Sequence, residues 1–523
     1  MFGEGFTEND YYKLANACDK LLLDPAATLE RIAIPWLHVV NEHPVHLPKY
    51  AFLSEQEKGS ARANPWHGLL RDQNSKVYKI ASLTRNLLRA IPYTIKNGAG
   101  VLDRTPPEQE SRDVIIVSWL VNEAHIEMGE DFYFGNIQSM LADEGLTSLL
   151  VLRNQTGRPT NSLSKRVKRT GPCGRLLLPD AITFAQELKF LAGCYAARKR
   201  LGENKIAGLT PFERTIAYFA RGSLVSHAVI ASLRLHLQIS ELCKQVKPRA
   251  VITLFEGYAW ERFVWHGARA ADPSILCVGY QHTILQKHAH AIKRSLGRGY
   301  DPDLIMTLGD ITKNILETSE DDKKIPILTL GTHRRAKSTI PIGQPRLIPA
   351  FLVLPEGIES ECLYLFSFAF QCAQALPEAQ FIFRTHPVLP FERMRSILQG
   401  NQELPANVRV SSNQSIDEDF AQAGFILYRG SSTVLYAILA GLKPFYIKRE
   451  GEMDIDPLSG LLAWRESVGS VGELIERYNS IQLKEAGKTV NSEWMKARDF
   501  CDKYAQSLRP EAIGEMMSLT RSA

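Results

Sequence analysis

The sequence lacks a long hydrophobic segment. No stretch of about 18 uncharged apolar residues occurs, and the longest candidate, residues 425–447, is interrupted by Arg429, Ser431, Ser432 and Lys443. The first residues also show no basic region followed by an apolar one, so no secretory signal is expected. Any action at a membrane is therefore expected to take place from its surface.

The sequence also lacks closely spaced cysteine pairs and has only a small net charge. The eight cysteines are scattered without a CxxC pair, which is typical of reduced thiols in a cytosolic protein. The formal net charge of +5 is small for 523 residues and no RNA- or DNA-binding motif is present, so no nucleic-acid partner is expected. A hydrophobic content of 45% allows sizeable cores, and roughly 150 residues per domain predicts two or three domains.

The order of the apolar segments predicts an α/β protein. Residues 1–110 show helical periodicity without clear strands and predict a helical N-terminal extension. Runs of strand length then alternate with helical segments over residues 111–335, and a second alternating series fills residues 336–523 and ends in helices. The pattern predicts two doubly wound Rossmann-type domains that face a cleft, with a linker at residues 331–349.

One segment of the first half, residues 153–179, is predicted to be a long, mobile loop because it contains Gly, Pro and Ser. It carries Lys165, Arg166, Lys168 and Arg169. These cations can contact anionic lipid or an anionic acceptor, with about 1 kcal/mol each near a charged membrane surface, or they can belong to a solvated loop. We expect a cytoplasmic protein, with peripheral contact at the inner face of the cytoplasmic membrane as the open alternative.

The stretch "FIFRTHP" is an apolar strand that ends in polar residues. Ligands of open parallel sheets bind outside the carboxyl ends of the strands, and Arg384 and His386 stand at such an end. Pro387 prevents a regular helix from running through this point. Both polar side chains are therefore candidates for ligand binding, although a histidine before a proline is by itself more often an ordinary loop residue.

A second strand of the same half, "GFILYRG", leads into "SSTVLYAILAG". Gly430 permits a tight turn, and Ser431 and Ser432 are expected at or near the N-cap of the following helix. Helix N-termini and serine hydroxyls bind anions, although an N-cap serine is usually only a cap. Together with His386, these residues predict a phosphate pocket.

Carboxylates follow one strand in each half. Glu256 follows "AVITLF" and is placed to act as a general base in a cleft, although an acid at a helix start is equally common. Glu356 follows "FLVLP" and would face Glu256 from the other domain, although "PEGIESE" is also a plausible helix entry. Such a pair can divide acid/base and nucleophilic roles in glycosyl transfer.

The strand that ends in "GYQHT" presents Gln281, His282 and Thr283, which are typical of a site edge or of a turn. A metal site formed by His282, His288 and His290 is not favoured, because no acidic or cysteine partner accompanies them. We expect no metal and no other cofactor.

The stretches "RTHP" and "RGSSTVLYAILAG" resemble the HP and serine-serine motifs of bacterial sialyltransferases and of the related transferases of 3-deoxy-manno-octulosonic acid (Kdo). "FEG" resembles the acidic motif of those sialyltransferases. Residues 34–50, "GYQHT" and "LVLPEGIESEC" are similar to bacterial surface-carbohydrate biosynthesis proteins, so the resemblance extends over most of the chain.

The resemblance implies a GT-B fold and a glycosyltransferase that moves a CMP-activated acidic sugar, Kdo or a nonulosonic acid, onto a surface polysaccharide or glycolipid of the capsule or lipopolysaccharide type. It implies that His386, Ser431 and Ser432 bind the donor phosphate without an essential metal, with Arg384, Gly430 and Gln281 beside them. Glu256 would be the acid/base, with Glu356 and His282 as further catalytic candidates.

The chain departs from the family pattern at one motif, because Phe255 stands where the family often has a second acid. Retention or inversion of configuration therefore stays open, as does a nucleophilic role of Glu356. Two alternative functions remain: a GT-B-fold transferase or epimerase with another nucleotide sugar, and a catalytically silent polysaccharide-assembly protein.

Overall fold

The structure is a computed structural model with two parallel sheets. It describes residues 6–22, 28–35, 38, 44–50, 76–97, 111–167, 173–202, 208–288, 290–318, 325–333, 345, 347–386, 389, 391–392, 394–395, 404–413, 415–483 and 488–520.

Within this part of the chain, the first sheet has seven strands in the order β3-β2-β1-β4-β5-β6-β7, and every neighbouring pair is parallel. The central strands β1 and β4 are buried runs rich in β-branched residues, as expected where helices cover both faces of a sheet. They are β1 (Val114–Leu120), β2 (Ser148–Asn154), β3 (Cys173–Leu177), β4 (Ala250–Leu254), β5 (Leu276–Gln281), β6 (Leu304–Thr307) and β7 (Ile327–Thr329).

Helices surround this sheet and precede it. The N-terminal ones are α1 (Glu8–Leu22), α2 (Leu29–Ile32) and α3 (Lys76–Asn97), with a 3₁₀ turn at Pro44–Tyr50. The helices of the first half are α4 (Ile137–Asp143), α5 (Thr160–Leu163), α6 (Phe184–Gly202), α7 (Pro211–Ser223), α8 (His227–Val246), α9 (Ala259–Ala271), α10 (His290–Lys293) and α11 (Asp310–Glu317), and a 3₁₀ turn lies at Glu123–Ile126. The apolar faces of α1, α6, α7 and α8 share one core, so the N-terminal extension is packed onto the first domain.

The second sheet has six described strands in the order β10-β9-β8-β11-β12-β13, again all parallel. They are β8 (Ala350–Leu354), β9 (Gln380–Phe383), β10 (Val408–Val410), β11 (Phe425–Tyr428), β12 (Lys443–Ile447) and β13 (Glu466–Val468). The helices are α12 (Glu359–Ala375), α13 (Ile416–Ala421), α14 (Val434–Leu439), α15 (Val471–Leu483), α16 (Lys488–Tyr504) and α17 (Glu511–Leu519). Separate apolar clusters fill the two faces of the sheet.

Both sheets wind outward from a central pair of strands, β1 and β4 in the first and β8 and β11 in the second. This doubly wound order confirms the fold class predicted from the sequence, two Rossmann-type domains in the GT-B arrangement. Ligands of such sheets bind where the strand order reverses, outside the carboxyl ends of the central pair. Glu256 follows β4, Glu356 follows β8 and Gly430 follows β11, so three predicted site residues lie at these two points.

The final helix returns to the first domain. Ala512, Ile513, Met516 and Met517 of α17 lie in the core around β1, whereas α16 packs on the second sheet. The chain thus crosses between the domains a second time, and a hydrogen bond from the backbone N–H of Thr332 to the carbonyl of Gln506 (2.8 Å) joins the two crossings. The predicted second domain, residues 336–523, includes α17, which packs on the first domain. Most of the predicted linker at residues 331–349 lies outside the described residues.

The prediction of a loop over residues 153–179 is wrong at residues 153–154, 160–163 and 173–177, whereas residues 155–159 and 164–167 have neither helix nor strand. Residues 160–163 form α5, and Cys173–Leu177 form an edge strand in parallel register with β2. The strand contains only one buried leucine and is specified by pairing with β2 rather than by its own pattern. The short edge strands β7 and β13 were not predicted either, because three residues carry no readable periodicity.

No single helix in the described part of the chain is long and apolar enough to span a membrane. Two consecutive helices, α7 and α8, meet that criterion only when they are taken together, and they are bent by 66°.

Candidate active site

A cavity of about 490 Å³ lies between the two domains, at the carboxyl ends of their central strands. Glu256, Tyr258 and His282 line it from the first domain. Glu356, Ser432 and Tyr436 line it from the second. The structure therefore brings the two predicted carboxylates into one cavity, each contributed by a different domain.

Glu256 is held in place through its backbone. The buried carboxylate of Glu261, in the first turn of α9, accepts the backbone N–H groups of Glu256 (3.0 Å), Gly257 (2.8 Å) and Tyr258 (2.9 Å). Gly257 has φ +96°, and a Cβ atom there would stand 2.5 Å from the backbone of Ala291. This turn requires glycine and directs the side chain of Glu256 toward the cavity.

Glu261 was not singled out from the sequence, although its position in the first helical turn is the acidic position of a capping box. Burial and then the charge of Glu256 raise the pKa of Glu261, while the backbone N–H groups oppose that shift. Its role here is to satisfy the donors of the turn that presents Glu256.

Glu356, which follows β8, is held by the residue after Arg429 at the end of β11, the neighbouring central strand. Its Oε1 accepts the backbone N–H of Gly430 at 3.0 Å. A Cβ atom on Gly430 would stand only 2.4 Å from the same oxygen, so the carboxylate occupies the space that any other side chain would fill. Glycine at position 430 therefore permits the close approach of Glu356.

The residue before Gly430 is a buried arginine that is fixed by ion pairs and hydrogen bonds. The guanidinium of Arg429, next to Gly430, pairs with Glu361 (2.5 Å) and Glu452 (2.6 Å) and donates to the carbonyl of Ile447 at 2.6 Å. Burial raises the pKa of Glu361, and Arg429 opposes the shift. No role of Arg429 was predicted from the sequence, because its acidic partners Glu361 and Glu452 are distant along the chain.

His386 and Arg384 are not among the residues that line the cavity. His386 is half-buried; burial lowers the pKa of His386 while the charge of Glu356 raises it, so the ring is within electrostatic range of that carboxylate. The Arg384 guanidinium pairs with the buried Asp419 and donates to the carbonyl of Asn413 (3.2 Å). Arg384 is therefore directed toward α13, and Pro387 lies outside the described residues.

The serines precede the helix rather than cap it. α14 begins at Val434 and Thr433 stands at the N-cap, with helical dihedral angles and no side-chain cap bond. Ser432 lines the cavity and Ser431 does not. In the described part of the chain, the backbone N–H groups of Ser431 and Ser432 have no acceptor. Both serines therefore lie just before the N-cap residue rather than at it, and Ser432 lies at the cavity edge.

At the end of β5, alternate side chains point in different directions. His282 lines the cavity and its ring meets that of Tyr133 edge-on, with centroids 5.1 Å apart. Gln281 is fully buried, and its Nε2 donates to the carbonyl of Thr283. Its Oε1 has no partner among the described residues. Gln281 thus lies behind the cavity wall, whereas His282 is accessible from the cavity.

No group of three or more His, Cys, Asp or Glu side chains in the described ranges is placed to hold a metal ion. His288 lines the cavity, but His290 binds Asp19 of α1 at 2.5 Å.

In the basic run of residues 165–169, Arg166 pairs with Glu123 (3.1 Å) and Glu127 (2.9 Å), and Lys168 and Arg169 lie outside the described residues.

No protein-family model matches the sequence, and no curated protein matches it. The solved structures that are similar in fold include the following three. They are the glycotransferase of kitacinnamycin (12% identity, 78% of this chain and 99% of that one, TM-score 0.44), a putative UDP-N-acetylglucosamine 2-epimerase from Listeria monocytogenes (10%, 78% and 96%, 0.45) and an α,α-trehalose-phosphate synthase (UDP-forming) from Burkholderia vietnamiensis (11%, 79% and 99%, 0.43). At these scores we draw no conclusion about activity from them.

Proposed function

We propose that the protein is a glycosyltransferase that moves a sugar from a nucleotide-activated donor to an acceptor hydroxyl in the interdomain cavity. The observation that carries the proposal is the presence of Glu256 and Glu356 in one cavity, each at the point where the strand order of its sheet reverses. A cavity of about 490 Å³ has the size of a small-molecule site.

The two carboxylates have different surroundings and take different roles. Glu256 stands on a turn that Glu261 fixes through backbone N–H groups, and its carboxylate lines the cavity, where we propose that it takes the proton from the acceptor hydroxyl. Glu356 accepts the N–H of Gly430, which fixes its orientation. It faces the reaction from the donor domain, where a carboxylate can act as a nucleophile or stabilise positive charge on the sugar.

The donor is proposed to be a CMP-activated 3-deoxy-ulosonic acid, and the acceptor a bacterial surface glycan or glycolipid. The HP and serine-serine motifs support this choice, and Ser432 at the cavity edge and His386 beside Glu356 are the groups proposed to contact the donor phosphate. Negative charge grows on that phosphate as the glycosidic bond breaks, and fixed hydrogen-bond donors stabilise it. Donor binding is proposed to need no metal ion.

A donor panel tests the proposal. The protein is incubated with CMP-Kdo, a CMP-nonulosonate and UDP-N-acetylglucosamine, with and without oligosaccharide acceptors, and released nucleotide is measured. We expect CMP release that acceptor stimulates and EDTA leaves unchanged. Release of UDP would show that the donor is a UDP sugar and not a CMP sugar. Conversion of a donor without acceptor would indicate an epimerase. No binding or release with any donor would leave only the assembly-protein alternative.

A further inference from the structure

A second cavity, of about 240 Å³, lies in the first domain at the carboxyl end of β2. Four basic side chains line it: Arg89 of α3, Arg153 of β2, and His227 and Arg234 of α8. None of them belongs to the cavity between the domains. Basic residues from three separate elements thus converge on one small, enclosed space.

Arg153 is the member that most needs a partner. Its guanidinium lies over the ring of Trp260, 5.7 Å from the centroid, and has no hydrogen-bond acceptor or carboxylate among the described residues. Desolvation lowers the pKa of Arg153 to about 10. Arg153 is partly exposed to the cavity, and a partly desolvated cation without a counter-charge is unfavourable, so an anion in the cavity would reduce that penalty.

The acidic groups nearby do not fill this role. Glu187 pairs with Arg234, whose Nη1 also donates to the carbonyl of Asp180 at 3.0 Å. The Asp180 side chain lines the cavity and stabilises the charged form of Arg89. Desolvation and the neighbouring Arg85 lower the pKa of Arg89 despite that acid. Positive charge therefore exceeds negative charge around the cavity in the described part of the chain.

The N-terminus of α8 adds to the positive potential. This helix has 20 residues and begins at His227, and the hydroxyl of Ser226 accepts the N–H of Val229. The N–H of Ala228, which lines the cavity, has no acceptor among the described residues. Desolvation and then the charges of the surrounding arginines lower the pKa of His227 to about 4.

We propose that this cavity binds a phosphate group of the acceptor. Several converging arginines favour a multiply charged oxyanion over a single carboxylate. The identification with the acceptor rests on the proposed function: β2 is two places from β4 in the sheet, so the ends of these two strands are separated by roughly 10 Å on the same edge. Trp260, under Arg153, lies two residues after Tyr258, the N-cap residue of α9, which lines the cavity between the domains.

The first experiment measures binding of inorganic phosphate by calorimetry. Arg153→Gln is expected to bind about tenfold more weakly than the wild type, because one charge-assisted hydrogen bond is lost. Arg158→Gln is the matched control: its side chain is 70% exposed, pairs with Glu123 and lies outside the cavity. Equal affinity of the wild type and Arg153→Gln would overturn the proposal.

Folding does not obscure this result. Arg153→Gln removes an uncompensated cation and is expected to leave the thermal midpoint at or above that of the wild type. Arg89→Gln changes an exposed residue of the same cavity and is expected to weaken phosphate binding as well. If phosphate binding is weakened in neither variant, the proposal is wrong, whatever the stability of the variants.

The second experiment identifies the source of the phosphate. A sugar 1-phosphate and glycerol 3-phosphate are titrated separately, and tighter binding of one indicates a glycan or a lipid origin. With active donor, Arg153→Gln is expected to raise KM for a phosphorylated acceptor about tenfold and leave KM for its unphosphorylated form unchanged. If no donor supports transfer, the proposed function fails while phosphate binding still decides whether the site exists.

Discussion

The Glu356 carboxylate rests against Gly430 so closely that a methyl group cannot be added without moving it. In Gly430→Ala, we expect kcat to fall about 10²-fold, because a displacement of about 1 Å at a reacting group has that effect. Overpacking should also lower the free energy of unfolding by about 1–3 kcal/mol. Transfer kinetics and urea unfolding measure both.

Gly472→Ala is the control for this substitution. Gly472 lies in the first turn of α15, and a Cβ atom there meets nothing within 4 Å. We expect unchanged kcat and a gain of about 0.5–1 kcal/mol in stability. Wild-type kcat in Gly430→Ala would show that the position of Glu356 does not matter for the reaction.

At the residue scale, the sequence predicts which residues reach the edge of a sheet and not where their side chains point. Glu256, Glu356, His282 and Ser432 line the cavity because parallel strands end at a common edge. Arg384 stands at the same kind of edge but turns to Asp419, an acid 35 residues later. Nothing local to "FRTHP" identifies that partner.

At the scale of elements, a buried histidine ties the N-terminal segments to α10. The Nε2–H of His38 donates to the carbonyl of Ile32 (2.9 Å), and its Nδ1 accepts from Arg294 (3.1 Å). Arg294 also pairs with Asp19 of α1 at 2.7 Å. Burial and then the charge of Arg294 lower the pKa of His38 to about 3, so the ring is neutral in the folded protein.

This arrangement predicts acid sensitivity. Below the unfolded pKa of about 6.5, the unfolded chain takes up a proton at His38 that the folded protein does not, so stability falls with pH until the folded pKa is reached. Between about pH 6.5 and about pH 5, the free energy of unfolding should fall by about 2 kcal/mol from this group.

Urea unfolding at both pH values measures the effect, and the fall should be smaller by that amount in His38→Gln. His46→Gln, at an exposed position of the same N-terminal region, is the control and should behave as the wild type. An identical pH dependence in His38→Gln would rule out this histidine as the source.

Elements with their own apolar pattern were predicted well, and elements defined by pairing were not. The central strands β1, β4, β8 and β11 are buried runs and lie where the sequence predicts them. The edge strand β3 follows a basic, Gly-containing segment and depends on β2 for its hydrogen bonds. Tertiary context therefore decided the structure of residues 173–177.

At the scale of the whole molecule, the chain connects the two domains twice. The return of α17 to the first domain was not predicted, because an amphipathic helix carries no information about which sheet it packs against. Gly331 has φ +87°, and a Cβ atom there would meet the carbonyl of Ser507 at 2.2 Å, so the two crossings are in close contact. The cavity is bordered by this double connection at Thr332.

Glu256 and Glu356 come from different domains, so their presence in one cavity is a property of the whole molecule. Nucleotide release by the variant Glu256→Gln tests most directly whether this pair is catalytic. We predict a fall in kcat of about 10²–10⁴-fold with unchanged donor affinity, because the base is lost and the isosteric amide keeps the cavity shape. Glu511→Gln, an exposed acid in the first turn of α17, should retain wild-type kcat. Wild-type kcat in Glu256→Gln would contradict the account.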